Sequence, residues 1–230
     1  GGAGSVTGAN FLLEEDPDAS SGARGTKVLF DCGLVQGAKD DPINTGKFPY
    51  DPSTIDYLIV SHAHIDHIGR IPKLVKDGFR GRILSTPPTR EISAIMLEDS
   101  LGILDKEAKR ENRDPIYNGD DVNLAMTFWD EGIPYHKTFD MGNFRVTFKD
   151  SGHILGSTIS ELVYNGKKIV YTGDLGNSPS VLLKDTEAIT DADYLIMESV
   201  YGDRNHEPHN KSRDMLEDTI ENTVRSNGVL

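Results

Sequence analysis

SHAHIDHIG, residues 61–69, sets three histidines and an aspartate within six positions, directly after the apolar run DYLIV. Residues i and i+2 of an extended chain project to one side, so His62 and His64 can converge on one point just past the end of a strand. Asp66 and His67 follow where the chain turns into a helix. Two pairs of ligand-type side chains at one strand's carboxyl end could hold two ions separated by roughly 3.5–4 Å, the spacing used in two-metal sites. The plain alternative is a solvated loop with a helix cap at Asp66, and the density of donors after an apolar strand outweighs it.

Outward from this stretch, the chain reads as short strands interrupted by helices. ANFLLEE (9–15), TKVLFDCG (26–33), DYLIVSH (56–62) and RILST (82–86) are apolar runs of strand length bounded by Gly, Pro, Asp and Ser. Helical spacing predicts a helix from Asp66 to about Lys76, with Pro72 inside it as a kink, another from Thr89 to about Arg110, and a third from Asp120 to Trp129. The latter two are expected to form an outer layer. After Gly132 the pattern predicts strands in PYHKTF, NFRVTFKDSG, STISELVY, KKIVYTGD and DYLIMES, with Asn165-Gly166 as a hairpin turn, and a last helix over Lys211–Arg225.

The 230 residues and 37% hydrophobic content suffice for one large domain with a substantial core. Twenty-four basic against 37 acidic residues give a net charge of −13, which opposes a non-specific grip on nucleic acid or an anionic membrane. A polyanionic substrate therefore needs a locally positive site. Cys32 is the single cysteine, which rules out an internal disulfide and suits a reducing compartment. No apolar run approaches membrane-spanning length and no signal-like segment opens the chain, so the expected location is cytoplasmic with no membrane partner; self-association is left open.

Two more donors stand in comparable contexts. His153 in SGHILGS and Asp174 in YTGDLGN lie at strand ends before glycines, where loops can bring them to a shared rim. With these residues the sequence resembles the metallo-β-lactamase fold family, whose signature is HxHxDH after a strand. ESVYGDRNH (198–206) is similar to a stretch of its β-CASP branch, the nucleic-acid-processing members that include the pre-mRNA 3′-end endonuclease, and GAGSVTGAN (2–10), DCGLVQG (31–37) and HIGRIPKL (67–74) look like that branch as well.

The resemblance implies an α/β fold, a metallo-β-lactamase αββα sandwich incomplete at its C-terminus. Residues 1–208 would form the N-terminal part of that domain and 209–230 the start of a truncated β-CASP insertion, SNGVL (226–230) looking like its first strand. It implies that His62, His64 and His153 hold one metal, Asp66 and His67 a second, and that Asp174 bridges them. Asp31 fits an outer position, accepting a proton from a ligand imidazole. Glu198 would assist leaving-group protonation and His206 would contact a phosphate or cap the next loop. Two further histidines of the branch are absent, so a C-terminal segment of the same protein is expected to complete the site.

Imidazole and carboxylate without thiolate suit two Zn2+ ions, with Mn2+ as the alternative. The expected function is metal-dependent hydrolysis of RNA phosphodiester bonds by a hydroxide that two zinc ions activate, the ions offsetting the chain's negative charge at the phosphate. A small-molecule metallo-hydrolase acting on an ester, thioester or lactam, and a catalytically silent RNA-processing subunit, are the competing readings. GGAGSVTG reads as a tight turn, since it leads into a strand and lacks a Gly-Lys-Ser/Thr ending. Cys32 reads as a small buried residue and His136 as a structural one within a strand. Lys106–Arg113 reads as a solvated helix end that, with Lys73, Lys76, Arg80 and Arg82, could guide RNA.

Overall fold

In the computed structural model, which describes residues 4–17, 24–37, 42–180, 182–205 and 209–229, the doubly apolar strands explain the layering. A four-stranded sheet runs β1 (Phe11–Glu14), β2 (Lys27–Phe30), β3 (Tyr57–Ile59), β4 (Arg82–Leu84), with β1 antiparallel to β2 and the rest parallel. In register across β2, β3 and β4, Leu29, Leu58 and Ile83 form one row while Phe30, Ile59 and Leu84 form the next. The first row packs into a core with the helices, and the second into a core with the other sheet. A parallel strand buried on both faces has no polar face to alternate with, which is why these runs read as continuously apolar.

The second sheet runs β5 (Thr138–Met141), β6 (Phe144–Asp150), β7 (Thr158–Tyr164), β8 (Lys167–Tyr171) and β9 (Tyr194–Ile196), antiparallel until β9 joins β8 in parallel. Met141, Phe144, Val146, Phe148, Leu162 and Tyr171 face the first sheet. The hairpin at Asn165-Gly166 closes as expected, pairing Tyr164 with Lys167. Helical, sheet and sheet layers of the expected sandwich are thus in place.

The helices are α1 (Pro42–Thr45), α2 (Ile65–Ile68), α3 (Ile71–Lys76), α4 (Pro87–Arg110), α5 (Gly119–Thr127) and α6 (His209–Arg225). Where one helix is expected over 66–76, two occur. Arg70 donates its amide to the Cys32 carbonyl at 2.8 Å, leaving the helical ladder, and Pro72 falls in the first turn of α3, where its missing N–H costs nothing. Pro72 therefore starts a helix instead of kinking one. Thr86 caps α4, and Asn118 with Asp121 forms a capping box on α5. α5 stops at Thr127 because Ile83 on β4 takes the next backbone groups, donating to Phe128 and accepting from Asp130. The four-residue α1 and a 3₁₀ turn at Pro52–Thr54 are too short for periodicity to show.

Three expectations are corrected. β5 begins at Thr138, not at Pro134: His136 has φ +61, outside strand geometry, and its ring faces Glu187 at 3.3 Å. Lys73 is buried against the Phe48 ring and paired with Asp77, so it belongs to no surface track for a nucleic acid. Residues 226–229 form no strand; Gly228 and Asn227 donate to Thr223 and Val224, closing α6 with a Schellman motif that has Asn227 left-handed at φ +50.

The chain divides into two units, Gly1–Glu198 and Ser199–Leu230. The first holds both sheets; the second contains α6. Among the described residues, no helix is long and apolar enough to cross a membrane.

Candidate metal centre

β3 is expected over 56–62 but ends at Ile59, and the backbone beyond it is redirected to build the site. Val60 still donates to Leu84; the Ser61 amide then donates to the Asp31 carboxylate at 2.7 Å, and the Ser61 carbonyl accepts from Thr158 of the other sheet at 2.9 Å. The loop from 61 to 64 therefore hangs from both sheets. The next turn is clamped by the 31–34 segment: Cys32 donates to the His67 carbonyl and Leu34 to that of Ile65, while Ala9 donates to Asp66. Gly33 permits this approach, since a Cβ there would lie 1.4 Å from the Asp66 carbonyl oxygen.

Four of the expected donors meet tightly. His62, His64, His153 and Asp174 each place one ligand atom mutually within 4.8 Å. His62 Nε2 and His153 Nε2 lie 3.0 and 3.1 Å from His64 Nδ1, and Asp174 Oδ2 lies 3.7 and 3.6 Å from those two Nε2 atoms. Tetrahedral coordination with bonds of about 2.0–2.1 Å sets donor–donor edges near 3.3 Å, so these spacings fit one divalent ion. The rings of His62 and His64 stand at 80° to each other and those of His64 and His153 at 85°, so their edges, not their faces, converge.

Asp66 and His67 border this group more loosely. His67 Nε2 is 3.2 Å from Asp174 Oδ1 and 3.8 Å from Asp66 Oδ2. The two oxygens of Asp174 are thus divided, Oδ2 toward His62 and His153 and Oδ1 toward His67. Asp174 reaches this position through Gly173, which has φ +53 and whose Cβ would sit 2.6 Å from that of Ser61.

Protonation follows from the surroundings. Burial, reinforced by the neighbouring imidazoles of His67, His153 and His64, holds His62 well below the usual histidine range. It is therefore neutral, the form in which a histidine binds a metal. Its Nδ1 lies 3.0 Å from Ser61 Oγ and its Nε2 is left to face the other donors. Burial also opposes charge on His67, but Asp31 and Asp174 on its two sides outweigh this and push it up to about 10. A cation held at Nε2 would take the place of that proton. Burial raises Asp174, and the hydrogen bond and charge of His67, with His153 and His64, lower it further than that.

Asp31 lies fully buried beneath the site and accepts from His67 Nδ1 at 2.7 Å. Glu198 follows β9; its Oε1 accepts from the Leu175 amide at 2.8 Å, next to Asp174. His206 lies outside the described residues. Sequence reasoning missed Ser61, Tyr171, Ser157 and Thr172. Ser61 donates its hydroxyl to Asp31 at 2.7 Å, and Tyr171 donates to the same carboxylate at 2.5 Å. Ser157 Oγ accepts from the amides of His153 and Ile154, and Thr172 Oγ1 from that of Glu198. Each is a hydroxyl in an otherwise apolar or turn context, which pattern alone reads as filler.

A family described as the beta-lactamase superfamily domain matches residues 26–222. The chain belongs to the metallo-β-lactamase superfamily. Three relatives align along nearly all of this metallo-β-lactamase chain. Ribonuclease TTHA0252 of Thermus thermophilus is 34% identical over 229 residues, covering 99% of the chain and 49% of the relative. Transcription termination factor FttA of Methanocaldococcus jannaschii is 32% identical over 241 residues, covering 100% of the chain and 36% of the relative. Cleavage and polyadenylation specificity factor subunit 3 of Dictyostelium discoideum is 31% identical over 210 residues, covering 89% and 26%. The chain spans about half the length of the first relative and less of the others. The superfamily and the His/Asp cluster together point to divalent metal binding.

Proposed function

We propose that this chain carries the metal-binding half of a ribonuclease that hydrolyses RNA phosphodiester bonds with two zinc ions, manganese being the alternative metal. The single observation that carries the reading is the divided Asp174 carboxylate, with one oxygen toward three clustered imidazoles and the other toward His67. The names of the relatives, a ribonuclease among them, support RNA as the substrate. When bound, the divalent ions would acidify water and offset phosphate charge at a site whose surrounding protein is strongly acidic.

The protein's own residues do the rest. His62, His64 and His153 present nitrogen donors, and Asp174 ties the two halves of the site. Asp66 and His67 would hold the second ion from the α2 turn. With only these two and Asp174 as donors, that side is the weaker, and a further segment of a longer protein would complete it. Glu198, which accepts from the Leu175 amide beside Asp174, would hand a proton to the leaving oxygen.

The test is RNA cleavage by the full-length protein before and after chelation, beside a generic ester and a lactam. Cleavage of RNA that chelation abolishes and zinc restores is the expected result. Turnover of the ester or lactam with intact RNA would replace this reading with a small-molecule hydrolase.

A further inference from the structure

The buried carboxylate of Asp31 receives four donors. Oδ1 accepts from the Ser61 amide at 2.7 Å, and Oδ2 accepts from Ser61 Oγ at 2.7 Å, His67 Nδ1 at 2.7 Å and the Tyr171 hydroxyl at 2.5 Å. Two of these lead directly to imidazoles of the candidate centre. His67 donates to Asp31 itself, and Ser61 Oγ, having spent its proton on Asp31, can accept from His62 Nδ1 at 3.0 Å. One carboxylate thereby engages the Nδ1 side of both rings, directly at His67 and through Ser61 at His62, and turns the Nε2 of each toward the other donors.

Tyr171 contributes nothing to either ring directly. It ends β8, three residues before Asp174, and is 3% exposed, its ring set against Phe11 and Phe30 at centroid distances of 5.6 and 5.0 Å. Packing alone would be served by phenylalanine there. The hydroxyl instead crosses from the second sheet to Asp31 at the end of β2 in the first. His67 is therefore gripped on both sides from the end of β8, through Tyr171 and Asp31 at Nδ1 and by Asp174 at Nε2, 3.2 Å away.

We infer that Tyr171 is a positioning residue of this centre: its hydroxyl fixes the Asp31 carboxylate, and through it the metal-facing orientation of His67 and, by way of Ser61, His62. The inference rests on the metal-centre reading above and deepens it. The His67 ring meets Asp31 at 2.7 Å, Asp174 at 3.2 Å, Ser61 Oγ at 3.4 Å and Asp66 at 3.8 Å; the shortest of these is the contact that Tyr171 holds in place, so the Asp66–His67 side depends most on Tyr171.

The experiment strips the full-length protein with a chelator and titrates Zn2+ against a chromophoric competitor, in wild type, Tyr171→Phe, Asp31→Asn, the double variant and Tyr164→Phe. Tyr164, stacked on Phe144 in the same sheet, controls for loss of a tyrosine hydroxyl elsewhere. Wild type should take two ions, and Tyr171→Phe should weaken one of them roughly 10- to 100-fold, the usual effect of losing a partner behind a metal ligand, with the other ion and the metal-free melting temperature unchanged. Asp31→Asn should weaken the same ion, and the double variant should be no worse than Asp31→Asn, because both act along one path. Two ions held at wild-type strength in Tyr171→Phe would overturn the inference. So would equal weakening of both ions with a lowered metal-free melting temperature, which would make Tyr171 a packing residue. Fewer than two ions in wild type would overturn the metal-centre reading itself, and the inference with it.

Discussion

The amide of Thr158 on β7 donates to the carbonyl of Ser61 at 2.9 Å, joining the two sheets at the point where the donors converge. Gly173 lets the chain leaving β8 close over this joint, with its Cβ position 2.6 Å from the Ser61 Cβ and its φ at +53. Replacing Gly173 by Ala should therefore cost about 1–3 kcal/mol of stability, from left-handed strain and the forced separation of the sheets. Denaturant unfolding of the metal-free protein measures it. An unchanged midpoint would show that the sheets are free to part here.

Asp174→Ala removes the one side chain that faces both halves of the centre. Zinc uptake should fall on both sides, by more than the roughly 10- to 100-fold typical of outer partners, and RNA cleavage should be lost with it. Equilibrium dialysis followed by metal analysis checks the first part. Retention of two tightly held ions would remove Asp174 from the bridge position.

Two glycines should respond to alanine in opposite directions. At Gly33 the new Cβ meets the Asp66 carbonyl at 1.4 Å, so the α2 turn must shift; a loss above about 4 kcal/mol, or no folded protein, is expected. Gly102 lies in the middle of α4 with open space around its Cβ, and alanine there should stabilise by about 0.5–1 kcal/mol. Thermal melts of the two variants separate these outcomes, and a stabilised Gly33→Ala protein would contradict the clamp on the α2 turn.

Cys32 is fully buried, and burial pushes its thiol up to about 12. It should resist a thiol reagent at pH 8 in the folded protein and react at once in denaturant, so its labelling rate follows opening of the core around β2. Rapid labelling under native conditions would show that the 31–34 clamp opens readily.

The sequence by itself determined the elements and most of the candidate donors. Runs such as Val28–Phe30, Leu58–Val60 and Ile83–Leu84 are continuously apolar because both faces are buried, and the alternation of His62 and His64 directly after such a run marked them as donors for one rim. Where a backbone hydrogen bond is diverted to a distant group, local pattern misjudged the boundary: β3 ends early because Ser61 bonds to Asp31 and Thr158, and Arg70 splits a helix by bonding to Cys32. Only the tertiary structure decided which way the carboxylate of Asp174 divides and that Tyr171 reaches Asp31 across 140 positions of chain. A hydroxyl's role depends on the acceptor that folding sets 2.5 Å from it, and nothing in the residues flanking Tyr171 records where that acceptor will be.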